Sequence, residues 1–126
     1  MKELVNGDMT QNVFILDDED DLRGLIVRSL VKKGFKVEDY ATVSAIIDKL
    51  NSGARPDIMI LDYNLPDGSA LDVLQLAGFD PRECNIIVIS GSLGVKESCL
   101  EHGADAFIPK PIRMSNLFAV IDTLTT

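Results

Sequence analysis

Short continuous apolar runs alternate along the chain with longer stretches in which apolar residues recur every three or four positions, the signature of strands and helices in turn. Val13 to Leu16 is the first run. Beyond Asp17 to Asp21, the residues Leu22, Leu25, Ile26, Ser29 and Leu30 fall on one helical face, and Gly34 stops the helix. Phe35 to Glu38 alternates apolar and charged residues, as a half-exposed edge strand does, and a short helix with Ile46, Ile47 and Leu50 ends at Asn51-Ser52-Gly53. Ile58-Met59-Ile60-Leu61 is apolar at every position, which predicts burial on both faces and a central strand. A turn-rich loop, Asp62 to Gly68, leads to a helix with Leu71 and Leu74 that breaks at Gly78. Ile86 to Ile89 is a second fully apolar strand, and a weak helix from about Val95 to His102 is ended by Gly103. Ala106-Phe107-Ile108 makes a fifth strand, at an edge because Pro109 has no N–H to donate. Leu117, Val120, Ile121 and Leu124 line a last helix.

Five strands joined by helices require a parallel sheet with helices on both faces, because parallel strands need crossovers and these are right-handed. The expected fold is therefore α/β, a flavodoxin-like (βα)5 doubly wound parallel five-stranded sheet. With the second and fifth strands at the edges its order is 2-1-3-4-5. Residues 1–11 read as an N-terminal tail and residues 12–126 as one domain. In such a sheet ligands bind beyond the carboxyl ends of the first and third strands, so function is expected there.

Composition narrows the choice. The 126 residues, 46% hydrophobic and 25% charged, suit a single domain. With 12 Lys plus Arg against 20 Asp plus Glu the net charge is −8, which disfavours nucleic acid as a partner. Apolar runs such as Val13 to Leu16 are far shorter than the roughly 18 residues of a membrane helix, and the first eleven residues lack the apolar core of a secretory signal. The expectation is a cytoplasmic protein with no membrane partner. Cys84 and Cys99 have neither metal-site nor disulfide spacing and read as buried or half-buried free thiols.

The residues just past the strands carry the chemistry: Asp17 and Asp18 after the first, Asp62 after the third, Ser90 after the fourth and Lys110 after the fifth. Adjacent strands lie about 4.8 Å apart, so these carboxylates crowd one another. Two such charges about 5 Å apart repel by roughly 3 kcal/mol at an effective dielectric near 20. A hard divalent cation suits this all-oxygen cluster, Mg2+ in particular, and Lys110 supplies further positive charge. A carboxylate beside a metal, a lysine and a hydroxyl can accept a phosphoryl group, since that transfer depends on positioning and charge neutralisation. Asp62 is the candidate nucleophile. Asp18 is read as a direct metal ligand, Asp17 as one acting through water, and the Asn64 main-chain carbonyl as completing the shell.

The segments V-F-I-L-D-D-E-D, I-M-I-L-D-Y-N-L-P-D-G, I-V-I-S-G and A-F-I-P-K-P stand in the order and spacing of one family. From Asn12 to Leu124 the chain closely resembles the response-regulator receiver domain of two-component signalling, of the single-domain chemotaxis type. The resemblance implies that Asp62 is the phosphoacceptor, that Asp17 and Asp18 hold Mg2+, that Ser90 hydrogen-bonds the phosphoryl group and that Lys110 pairs with it. It places the switch on Ser90 and the aromatic Phe107, makes the Lys110-Pro111 bond cis, and puts the tuning of hydrolysis on Asn64 and Ser92. The phosphoryl donor would be a sensor histidine kinase or a histidine phosphotransfer protein, and a downstream protein would read the surface around helix 4, strand 5 and helix 5. A dimer formed on phosphorylation is left open. So is origin as a stand-alone regulator or as part of a larger regulator or hybrid kinase.

The sequence departs from the pattern at Phe107, which has no hydroxyl to hold an inward state, and at Pro109, which replaces a smaller residue. Gly91, Gly94 and Gly103 make the fourth-helix region an expected mobile one. An isolated run such as Asp17 to Asp21 is more often a solvated helix start, and Asp20 and Asp21 are expected only to cap the helix. His102, the only histidine, is expected at the surface, and without a second the chain is neither a histidine kinase nor a phosphohistidine carrier. It is not an enzyme in the turnover sense, but catalyses its own phosphorylation and dephosphorylation. An aspartyl-phosphate phosphatase would need Thr or Val where Leu22 stands, together with a cap, and a flavin module would need a phosphate loop where the acids are.

Overall fold

The computed structural model describes residues 10–126, so most of the expected tail lies outside the described residues. Five strands, β1 (Asn12–Leu16), β2 (Lys36–Tyr40), β3 (Ile58–Asp62), β4 (Asn85–Ser90) and β5 (Ala106–Pro109), alternate with five helices. These are α1 (Asp20–Lys32), α2 (Val43–Asn51), α3 (Ala70–Leu74), α4 (Lys96–Glu101) and α5 (Met114–Thr125). The strands are all parallel and run in the order β2-β1-β3-β4-β5, the order that the pattern predicts.

Because successive side chains on a strand point to opposite faces, the continuous apolar runs feed two cores. Phe14, Leu16, Met59, Leu61, Ile86 and Val88 pack beneath α2, α3 and α4. Val13, Ile15, Ile58, Ile60, Ile87 and Ile89 pack beneath Ile26 and Leu30 of α1 and Leu117 and Ile121 of α5. All five residues of β3 are buried, as expected of the central strand. Cys84 and Cys99 are buried free thiols. Burial first, and then the acids Asp105 and Glu83, push the Cys84 thiol up to about 12, so it stays protonated.

Several details depart from the pattern. β2 runs on to Tyr40, because the ladder with β1 continues to Leu16↔Tyr40 although Glu38 and Asp39 face solvent. The loop after Asp62 holds a two-residue antiparallel ribbon, Asn64–Leu65 with Gly68–Ser69. α3 ends at Leu74, well before Gly78. Asp20 and Asp21 do not cap α1: Glu19 takes the N-cap position without a side-chain bond, and the two acids sit in the first turn, where the helix dipole favours them. His102 is half-buried, with Nδ1 2.7 Å from the Ser98 carbonyl, so it fastens the end of α4. Among the described residues no helix is long and apolar enough to cross a membrane.

Candidate functional site

The parallel ladder delivers the polar residues that follow β1, β3, β4 and β5 to one edge of the sheet. Asp17 is fixed there at three atoms. Its N–H donates to the Tyr40 carbonyl (3.0 Å), its Oδ1 accepts the Glu19 N–H (2.8 Å), and its carbonyl accepts Arg23 Nη1 (2.7 Å). Asp62, last residue of β3, is opposite Ile89, and the following Tyr63 N–H donates to the Ile89 carbonyl (2.9 Å). Asp17 and Asp62 are only 2% and 5% exposed, while Asp18 is open to solvent. One carboxylate oxygen from each of the three lies within 4.8 Å of the others.

Lys110 reaches this cluster from the end of β5, where its main-chain N–H donates to the Ser90 carbonyl (2.9 Å) and its bond to Pro111 is cis. Its Nζ is 3.2 and 3.3 Å from the two oxygens of Asp62 and 3.6 Å from Glu19 Oε1. Ser90 is buried, and its Oγ accepts the Ser92 N–H (3.0 Å), which leaves its hydroxyl proton to donate elsewhere. Asn64 opens the exposed side of the ribbon, and Ser92 is an exposed N-cap of the 3-10 turn Leu93–Val95. Phe107 stands opposite Val88, half-buried against the core beneath α2 to α4. Asp17, Asp18, Asp62 and Lys110 thus come together; Ser90 meets them through the Lys110 main chain; Asn64, Ser92 and Phe107 lie on adjoining segments.

The charges do not balance. Burial, reinforced by Asp62, pushes the Asp17 carboxyl from its ordinary 3.8 up to about 6, against the opposing pull of the Glu19 N–H and Lys110. Burial also raises Asp62, with Asp18 adding to the effect and Lys110 opposing it. For Lys110, desolvation pulls downward, but Asp62, Asp17 and Glu19 outweigh it and the ammonium is held above its ordinary range. One lysine against three carboxylates, two of them desolvated, leaves a deficit of positive charge. An all-oxygen donor set with that deficit fits a hard divalent cation such as Mg2+, with Asp17, Asp18 and Asp62 as the available ligands.

Three neighbours were not legible as site residues. Glu19 faces Lys110, and Arg23 binds Asp17, Asp20 and Asp39 together. The only sequence hint for Arg23 is its i, i+3 spacing from Asp20. Asp67, in the loop after Asp62, reaches across to accept the Val43 and Ser44 N–H groups at the start of α2 (2.9 and 3.0 Å).

The family model of the response regulator receiver domain matches residues 13–122, most of the chain. The chain belongs to that family. Among curated proteins, this receiver is similar to the transcriptional regulatory protein CreB of Escherichia coli (strain K12), 31% identical over 116 residues that cover 90% of this chain and 50% of CreB. The receiver spans between 24% and 51% of the length of the first curated relatives it matches. Among solved structures it resembles a CheY-like receiver domain protein from Methanospirillum hungatei, with TM-score 0.79 and 24% identity over 91% of this chain and 93% of that one. The response regulator TrrA of Thermotoga maritima, solved with Mg2+ and BeF, has TM-score 0.79 and 21% identity over 91% of this chain and 99% of its own. Both likenesses carry the fold: the five-stranded parallel sheet is the receiver's.

Proposed function

We propose that this receiver is a phosphorylation-driven switch in which Asp62 accepts a phosphoryl group from a sensor histidine kinase, a histidine phosphotransfer protein or a small phosphodonor. The observation that carries the reading is the placement of the Asp62 carboxylate. It is buried at the sheet edge, 3.2 Å from the Lys110 ammonium and within 4.8 Å of the Asp17 and Asp18 carboxylates. An Asp62 oxygen attacks phosphorus as the donor bond breaks, P–N with imidazole leaving from a phosphohistidine or P–O with carboxylate leaving from an acyl phosphate, and the product is a mixed carboxylic–phosphoric anhydride. Asp17, Asp18, Asp62 and the Asn64 main-chain carbonyl are the residues that would hold Mg2+, which supplies charge neutralisation on the phosphoryl oxygens when bound. Lys110 pairs with a further phosphoryl oxygen, and the Ser90 hydroxyl donates to another while keeping its bond from Ser92.

Drawing Ser90 and its loop toward the phosphoryl group opens space beside β5 for Phe107, which packing alone holds, since it has no hydroxyl. The face of α4, β5 and α5 changes with it, and a downstream protein reads that face; dimerisation is one form the reading can take. Asn64 and Ser92 flank the anhydride and set its lifetime. The switch turns over only its own phosphoryl group, so it is not an enzyme acting on a separate substrate. The net charge of −8 argues against direct contact with nucleic acid. The DNA-binding named for the relative NtrC belongs to a protein of which this receiver covers 24%. We place the switch in the cytoplasm, where the proposed donors present phosphohistidine, whether it acts alone or within a longer regulator.

The test is intact-mass spectrometry after treatment with acetyl phosphate and Mg2+. A single phosphoryl increment that disappears in Asp62→Asn and with chelator is the expected result. An increment that survives in Asp62→Asn would reject the assignment.

A further inference from the structure

We propose that Arg23 is a positioning residue for the cation site, holding the peptide that joins Asp17 to Asp18 and so the aim of both carboxylates. The inference rests on the reading of Asp17, Asp18 and Asp62 as Mg2+ ligands. Asp17 lies one residue past the last ladder pair of β1, Leu16↔Tyr40, where the sheet no longer dictates the orientation of the next peptide. The oxygen of that peptide is the Asp17 carbonyl, and Arg23 Nη1 donates to it at 2.7 Å. The same guanidinium is anchored at two further points: Nε donates to Asp39 Oδ2 (2.8 Å) on β2, and Nη2 to Asp20 Oδ1 (2.7 Å) in the first turn of α1. Its side chain is only 16% exposed. A planar fork held at two carboxylates leaves its third corner little freedom, so it fixes the carbonyl it meets.

Charge and geometry make opposite predictions, which renders the idea testable. A cation beside a cation site weakens binding by Coulomb repulsion, so a guanidinium acting through charge alone should lower Mg2+ affinity. If Arg23 positions the ligands, removing it should weaken binding although the repulsion is relieved. A loss of about tenfold is expected, the size typical when a group orienting a metal ligand is removed. Lysine keeps the charge but cannot span three partners, so Arg23→Lys should also bind Mg2+ more weakly.

The experiment titrates Mg2+ alone into wild type, Arg23→Met and Arg23→Lys at fixed pH and ionic strength, following the amide resonances of Asp17, Asp18, Asp62 and Tyr63. Amide dispersion and urea melts verify that each variant is folded. Dissociation constants raised about tenfold in Arg23→Met and raised in Arg23→Lys support the proposal. Unchanged or tighter binding in a folded Arg23→Met, or wild-type affinity in Arg23→Lys, overturns it; if Arg23→Met does not fold, Arg23→Lys decides alone. Absence of Mg2+ binding to wild type would refute the cation-site reading itself, and this inference with it.

Discussion

Replacing Asp17 with Asn should stabilise the metal-free protein, because burial first, and then the neighbouring Asp62, disfavour a charge on that side chain. Asp17 is 2% exposed and its carboxyl is pushed from 3.8 to about 6. A carboxyl whose pKa rises on folding binds its proton more tightly in the folded state. Its contribution is therefore favourable below the unfolded pKa and is lost as pH climbs through the folded one. At about 1.4 kcal/mol per pKa unit, the ionised Asp17 costs the metal-free fold on the order of 3 kcal/mol near neutral pH. By pH 5 the cost is about half of that. Asparagine keeps an oxygen to accept the Glu19 N–H and carries no charge, so Asp17→Asn should recover most of the difference. For a chain of this size that is a melting-temperature rise on the order of 10 °C. Urea unfolding followed by circular dichroism, with chelator present, at pH 7.5 and at pH 5, measures it. Saturating Mg2+ should narrow the gap by stabilising the wild type more than the variant. A variant no more stable than wild type at pH 7.5, or a gap that does not shrink by pH 5, would refute the reasoning.

Lys110→Ala removes the ammonium 3.2 Å from Asp62 and leaves that buried carboxylate unpaired, so it should cost about 2 kcal/mol of stability at neutral pH in a urea melt. The loss should lessen in acid, because the Asp62 carboxyl, already raised by burial, then protonates. Changing Asn64 and Ser92 together should alter the decay of isotopically labelled phosphoprotein in Mg2+ buffer, and unchanged decay would remove them from the hydrolytic step. Gly103→Ala should cost at least about 1 kcal/mol, because the residue has φ +111° and an added Cβ would stand 2.6 Å from Pro81 Cβ. Thermal melts decide that case, and a neutral result would contradict the close approach of α4 to the 3-10 turn Pro81–Glu83.

The strands and the site were readable for the same reason. Ile58 to Leu61 is apolar on both strand faces, which only a central parallel strand requires, and once the sheet is parallel its topology brings Asp17, Asp62, Ser90 and Lys110 to a single edge. Residues that act through side-chain bonds to distant backbone were not readable. Arg23 looks like an ordinary exposed helix residue until β2 brings Asp39 to it, and Asp67 looks like a turn residue until α2 presents two free N–H groups. β2 runs past Glu38 because, although Asp39 adds a second consecutive acid and breaks the alternation, an edge strand lets polar side chains face water and still completes its ladder. The ribbon at Asn64–Leu65 and Gly68–Ser69 is too short to leave a periodic signal.

The central claim is that Asp62 itself carries the phosphoryl group, and borohydride trapping tests it most directly. Hydride reduces an acyl phosphate to an alcohol, so protein treated with acetyl phosphate and Mg2+, then reduced and digested, should yield a peptide with homoserine at position 62. Homoserine at Asp17, Asp18 or another carboxylate, or a phosphorylated protein that yields none, would contradict the account.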